Sequence, residues 1–155
     1  MISVLVISYN SYVLSCGIIK KLSHNTDINI FIVDNSGEFP DGDLDLKNVF
    51  VLKPGVNLGY AAGVNFGIRQ VMKQVRSKFV VVMNPDVDIE ESALLRMREI
   101  LKKLPQRSLL SCKTHYEDGF SYNSLKRAGL RTIYSLEKEK LIKSDLFNGC
   151  LFMLR

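Results

Sequence analysis

The stretch Phe79-Val-Val-Val-Met-Asn-Pro-Asp-Val-Asp88 decides how the rest of the chain is read. Its first half is a continuous apolar run rich in β-branched residues, the pattern of a strand buried on both faces. Pro85 has no N–H to give to a sheet ladder, so the strand must end at Met83 or Asn84. Asp86 and Asp88 then stand just past a strand's C-terminal end, the edge where open α/β sheets bind ligands. Two carboxylates on a tight turn suit a hard divalent cation, with a substrate phosphate completing its shell. Asp88 has a second reading as the cap of a helix that begins with Glu90 and Glu91.

Outward from this stretch, strands alternate with helices. Ile2–Ser8 is a buried strand, and Asn10 and Ser11 offer N-cap chemistry for a helix over Tyr12–Leu22. That helix places Val13, Leu14, Ile18, Ile19 and Leu22 at helical spacing. Residues 28–33 form a second strand, ended by Asp34-Asn-Ser-Gly37. Val49–Leu52 is a third, turned by Pro54-Gly55, and a helix follows over residues 60–75. After the strand at 79–83, residues 89–104 form an amphipathic helix stopped by Pro105, with Ala93, Leu94, Met97, Ile100, Leu101 and Leu104 on one face. Residues 109–114 read as a further strand, and residues 120–143 have no clear period beyond one short helix or strand. The alternation predicts a single α/β layered domain over residues 1–155 with a mostly parallel sheet. Right-handed crossovers gather Ser8-Tyr-Asn10, Asp34-Asn-Ser36 and Asn84-Pro-Asp86 along one edge.

Composition narrows the class. A chain of 155 residues with 46% hydrophobic and 24% charged content can bury its own core without staples. Cys16, Cys112 and Cys150 are odd in number and far apart, which argues against a disulfide framework or a zinc site and for reduced thiols in the cytoplasm. The start of the chain is too short an apolar run for a signal peptide, and no run reaches the length of a transmembrane helix. The net charge of +5 comes with a late cluster of Lys and Arg, from Arg96 through Lys143. This suits solvated helix faces, or attraction to phosphorylated substrates and anionic lipid at the inner face of the membrane. Nucleic acid is not expected, because aromatic residues do not interleave with the cations. Asp41-Gly-Asp43-Leu-Asp45 opens like a calcium loop, but Leu46 and Leu52 stand where that loop needs Gly and Glu.

Asn57-Leu-Gly59-Tyr-Ala-Ala-Gly63-Val-Asn65-Phe-Gly67 leads into a helix with a small residue every few positions. Small residues let a backbone or a phosphate come close, and free N–H groups at a helix start favour anions. The spacing matches neither G-x-G-x-x-G nor a P-loop. Gly63 and Gly67 are equally suited to close packing of helix on sheet.

Together, Val6-Ile-Ser-Tyr-Asn10, Ile32-Val-Asp-Asn-Ser36, Asn57-Leu-Gly-Tyr-Ala-Ala-Gly-Val-Asn65 and Met83-Asn-Pro-Asp-Val87 resemble, in order and spacing, the family 2 glycosyltransferases with a GT-A fold, a Rossmann-like layered sandwich. Asn84-Pro-Asp86 in place of an all-acidic triplet looks like the rhamnosyltransferase-like branch. The resemblance implies sugar transfer, with inversion, from a nucleotide-diphosphate sugar to a saccharide or lipid-linked acceptor in bacterial surface polysaccharide synthesis. It implies that Tyr9 and Asn10 line the nucleotide pocket and that Asp34 accepts a hydrogen bond from the base. Asn57 and Gly59, with Asn65, would hold the ribose and diphosphate. Asp86 would bind Mg2+ or Mn2+, with Asn84 in the first place of the family's D-x-D motif. Asp88 lies outside that motif.

An acceptor hydroxyl needs a general base, usually a carboxylate. In similar enzymes it follows a segment that Asp145-Leu-Phe-Asn-Gly-Cys-Leu-Phe-Met-Leu-Arg155 resembles, so the base is expected beyond Arg155 and the chain reads as C-terminally truncated. Glu117 and Asp118 are weaker candidates in a turn. An apolar terminal strand at Leu151–Leu154 is expected to lack a neighbour, which suggests self-association through that strand. Two other readings compete with this one. A doubly wound signalling module would need an acidic pair where Tyr9 and Asn10 stand, and a degenerate transferase would only bind a partner.

Overall fold

The computed structural model describes residues 1–41, 44, 46–105, 108–112, 114–115, 121–122, 133–137, 140–144 and 150–155. Within the loop at 38–45, residues 42, 43 and 45 lie outside this set, as do Glu117, Asp118 and residues 145–149. The chain forms two compact units, Met1–Asp88 and Ile89–Arg155.

The first unit runs β1 (Ile2–Ser8), α1 (Tyr12–Leu22), β2 (Ile28–Asp34), β3 (Val49–Leu52), α2 (Gly59–Gln74) and β4 (Val80–Met83). Its strands lie in the order β3-β2-β1-β4, all parallel. The register sets Ser8 against Asp34 and Val6 against Met83, so the C-terminal ends of β1, β2 and β4 fall on one edge. β1, β2 and β4 are buried throughout, as near-continuous Val and Ile runs in a parallel sheet require. Phe31 and Phe50 are register partners on β2 and β3, and their rings stack with centroids 4.5 Å apart.

Side chains alternate between the faces of β1. Leu5 and Ile7 meet α2, where Gly67 and Gly63 lie against their side chains. Ser8 points to the other face and receives a 2.9 Å hydrogen bond from Ser15 Oγ of α1. The two helices therefore cover opposite faces of the sheet. The small residues of α2 work as packing residues: a Cβ on Gly67 would collide with the Leu5 side chain.

Helix α1 corrects the apolar reading. Its inner stripe is Ser15, Ile18, Ile19 and Leu22, whereas Val13 and Leu14 are 79% and 50% exposed. Ser15, which bonds to Ser8, takes a place on the inner stripe that pure hydrophobicity would give to Val13 and Leu14. Capping differs too. Ser11 stands at the N-cap of α1 without a side-chain cap bond; Glu38 Oε2 accepts from the Tyr12 N–H at 3.2 Å instead.

In the second unit α3 (Glu91–Lys103) precedes short strands: β5 (Leu109–Cys112), β6 (Thr114–His115), β7 (Ser121–Tyr122), β8 (Ile133–Glu137), β9 (Lys140–Ser144) and β10 (Leu151–Leu154). Leu94, Met97 and Leu101 of α3 are buried. The N-cap of α3 is Glu90, so Asp88 does not fill that place. β10 pairs antiparallel with β5 and β5 parallel with β8, while β6 and β7 form a separate antiparallel pair. The terminal apolar strand thus has a neighbour, contrary to expectation. Phe152 sits opposite Ser111, and Ser111 Oγ donates to the Leu151 carbonyl at 2.9 Å. The whole is the expected α/β fold of Rossmann-like type with a mostly parallel sheet. Among the described residues no helix is long and apolar enough to cross a membrane.

Candidate functional site

The polar ends of β1, β2 and β4 converge on a cleft of about 450 Å³ in the first unit. Of the residues singled out by sequence, Tyr9, Asn57, Gly59, Asn84 and Asp86 line it. Asn35, Tyr60, Ser11, Leu14, Ile7 and Pro85 complete its wall.

Each tip has a local cause. After β1, Asn10 takes a left-handed backbone, φ 50°, which asparagine tolerates better than most residues. Its N–H donates to Ser36 Oγ at 3.1 Å, and the Asn35 N–H donates to the Ser8 carbonyl at 2.9 Å, so the first two tips are stitched together. The Asn10 side chain sits outside the cleft lining, and Tyr9 alone of this pair reaches it. After β4, the Asn84 carbonyl accepts from the Val87 N–H at 3.2 Å, closing a turn with Pro85 at its second position. The turn leaves Asn84 half-buried and Asp86 exposed in the same wall. Asp88 leaves the wall: it pairs with Lys21 at 2.5 Å, and its side chain is 86% exposed.

Asp34 stands behind the cleft and not in it. It is 3% exposed. Its Oδ1 accepts from the N–H groups of Ser36, Gly37 and Glu38 and from Ser36 Oγ, and its Oδ2 accepts from the Phe39 N–H at 3.0 Å. The carboxylate folds the loop that follows β2. Phe39 is thereby buried, with its ring edge-on to Tyr12 at 4.8 Å.

The start of α2 is shaped by two asparagines. Asn57 Oδ1 accepts from the Gly59 N–H at 2.8 Å, and Gly59 has φ +69°, a conformation that glycine adopts without cost. Asn35, 6% exposed, accepts from the Leu58 N–H at 3.3 Å and donates from Nδ2 to the Gly59 carbonyl at 3.4 Å. Asn65 is exposed on α2, about half a turn of the helical wheel from buried Gly63, and does not line the cleft. The helical period, which sends Gly63 and Gly67 to the sheet, sends Asn65 away from it.

Asn35 was legible only as part of a polar strand end, and Tyr60 only as a residue between two glycines. Leu14 was hidden by the expectation that it was core. Among the described residues no three His, Cys, Asp or Glu side chains cluster as a metal cage. The cleft wall offers instead one carboxylate, Asp86, and the amide oxygen of Asn84. That donor set fits a hard cation that takes its remaining oxygens from a diphosphate and water, and not one held by protein alone.

A family model described as Glycosyl transferase family 2 matches residues 3–155. No curated protein matches the chain. With Tyr9 and Asn10 standing where a signalling module needs its acidic pair, and with the match running through both units, the chain belongs to glycosyl transferase family 2, the nucleotide-sugar-dependent glycosyltransferases.

Proposed function

We propose that the cleft is the seat of a nucleotide-diphosphate sugar. The observation that carries this reading is the convergence of Tyr9, Asn57, Gly59, Asn84 and Asp86, from separate loop tips, on one hollow of a ligand's size. Tyr9, 55% exposed, and Tyr60, 43% exposed, offer ring faces to a base or sugar.

The helix ends favour one seat for the diphosphate. The first turn of α2 holds no acidic residue, so no carboxylate offsets the positive end of its dipole, although the Leu58 and Gly59 N–H groups themselves already bond to Asn35 and Asn57. The start of α1 already faces the Glu38 carboxylate. The diphosphate therefore lies at Gly59, and Asn35 and Asn57 hold that backbone in shape before the ligand arrives. Mg2+ or Mn2+ on Asp86, with Asn84 beside it, would act as a Lewis acid that neutralises the leaving diphosphate. Asp34 acts chiefly through the loop it folds; a base N–H would have to reach Oδ2, which has the fewer donors.

Asp86 is the one carboxylate lining the cleft among the described residues. It cannot both ligate a cation and take the acceptor's proton, so the general base comes from elsewhere in the protein. Within this reading the reaction inverts the sugar, a rhamnosyl group is the best-fitting donor, and the acceptor is a saccharide or lipid-linked hydroxyl in surface polysaccharide assembly at the cytoplasmic face of the membrane.

Calorimetric titration of UDP, GDP and dTDP with Mn2+ tests the site, with Asp86→Ala alongside. One nucleotide should bind wild type, and the variant should lose the Mn2+-dependent part. If no nucleotide binds, or both proteins bind with the same metal dependence, the assignment is wrong.

A further inference from the structure

From Leu46 to Pro85 the chain carries Lys47, Lys53, Arg69, Lys73, Arg76 and Lys78 and no Asp or Glu. α2 sorts these charges. Its buried stripe is Gly63, Gly67 and Val71, packed on the sheet. Arg69, Met72 and Lys73 lie on the opposite side of the helical wheel, and all are exposed. The helix then ends: the Arg76 N–H donates to the Val71 carbonyl at 3.1 Å, and Arg76 turns into a left-handed conformation, φ 49°. Arg76 and Lys78, both exposed, extend the strip past the helix end.

Several cations elsewhere in the described structure have carboxylate partners: Lys21 with Asp88, Lys53 with Asp41, and Arg98 and Lys102 with Glu99. No hydrogen bond or ion pair is made by the side chains of Arg69, Lys73, Arg76 or Lys78 among the described residues. At their centre Met72, an apolar side chain, is 50% exposed. Uncompensated cations around a protruding apolar side chain match a surface that is anionic at its boundary and apolar beneath.

We propose that the outward face of α2, with Arg76 and Lys78, is a membrane-contact surface for anionic phospholipid. The cations sit among the headgroup phosphates and Met72 enters the acyl boundary. This surface is formed by residues other than those that line the cleft, and contact with lipid requires no donor. It also differs from the late basic cluster that composition alone brings forward.

Co-sedimentation of the full chain with vesicles of phosphatidylcholine, with and without phosphatidylglycerol, tests this. Wild type should sediment with the mixed vesicles, stay in solution with phosphatidylcholine alone, and detach as salt is raised. R69Q/K73Q/R76Q should lose most of the binding, whereas K20Q/K47Q/K103Q, with the same net charge and exposed positions elsewhere, should retain it. Met72→Ser should weaken binding while leaving its salt dependence in place. Equal loss in both triple variants would reduce the effect to net charge and overturn the proposal, as would no vesicle binding by wild type. Retention of wild type on duplex DNA with no preference for vesicles would overturn it in favour of a general polyanion surface.

Discussion

The side chain of Asn35, at the tip of β2, donates from Nδ2 to the Gly59 carbonyl at 3.4 Å at the start of α2. One amide thus joins the edge of the sheet to the helix end at which the proposed diphosphate would sit, and its Oδ1 holds the neighbouring Leu58 N–H. Removing it takes a partner from the half-buried Leu58 N–H and from the carbonyl of exposed Gly59. Asn35→Ala should cost about 0.5–1.5 kcal/mol per lost bond in urea unfolding. Nucleotide affinity should fall by more than Asn57→Ala produces, because Asn57 is exposed and its lost bond can pass to water.

Asp34→Ala separates folding from recognition. The carboxylate has several N–H donors in a buried setting, and hydrogen bonds to a charged group contribute about 1.5–3 kcal/mol each, without adding fully. The variant should lose at least that much stability, and the amides of Ser36 to Phe39 should lose protection in hydrogen exchange. If stability is unchanged while nucleotide binding disappears, Asp34 reads the base directly.

Asp86 and Asp88 are two residues apart and should behave differently. Asp88 pairs with Lys21 outside the cleft, and an exposed ion pair contributes at most about 1 kcal/mol. Asp88→Asn should leave metal-dependent nucleotide binding intact in calorimetry. Asp86→Asn should abolish the Mn2+ dependence without lowering the Tm, because its side chain is exposed and holds nothing in place.

The glycines of α2 should rank by the space each has. Alanine gains about 1 kcal/mol over glycine in a helix interior. At Gly63 the new Cβ would lie 3.3 Å from Ile7 Cγ2, tight but movable, so Gly63→Ala should be near neutral. At Gly67 it would collide with Leu5 in the fully buried sheet, and overpacking costs about 1–3 kcal/mol. Chemical denaturation should find Gly67→Ala the less stable of the two.

Lys53 Nζ reaches both the Phe39 carbonyl and Asp41 Oδ1 at 2.6 Å, tying down the loop that Asp34 folds. The hydrogen bond from Lys53, and then its charge, hold the Asp41 carboxyl below the usual carboxylate value. A lowered folded value means the pair's contribution is present above the unfolded carboxylate pKa, about 3.9, and fades as pH falls through the folded one. NMR titration should show the Asp41 midpoint rising toward its ordinary value in Lys53→Met.

Much of this protein was already written in residue order. The β-branched runs at Ile2–Ser8 and Val80–Met83, and the prolines and glycines that stop them, set the alternation of strand and helix, because strand and helix periods and backbone breakers are local properties. They also placed Tyr9, Asn84 and Asp86 at ends that a parallel sheet must bring to one edge, whereas Asn57 and Gly59 were joined to that edge only through the family resemblance.

Tertiary structure decided the rest. Leu14 became cleft wall because Ser15 bonds to Ser8, a partner across the fold that no helical period can announce. Asp34 turned inward because the loop after β2 presents its N–H groups to that carboxylate, and Asn65 turned outward because Gly63 and Gly67 claimed the sheet-facing side of α2. Which carboxylate faces a ligand and which holds a loop depends on where distant donors fall in space, and that position is a property of the packed chain.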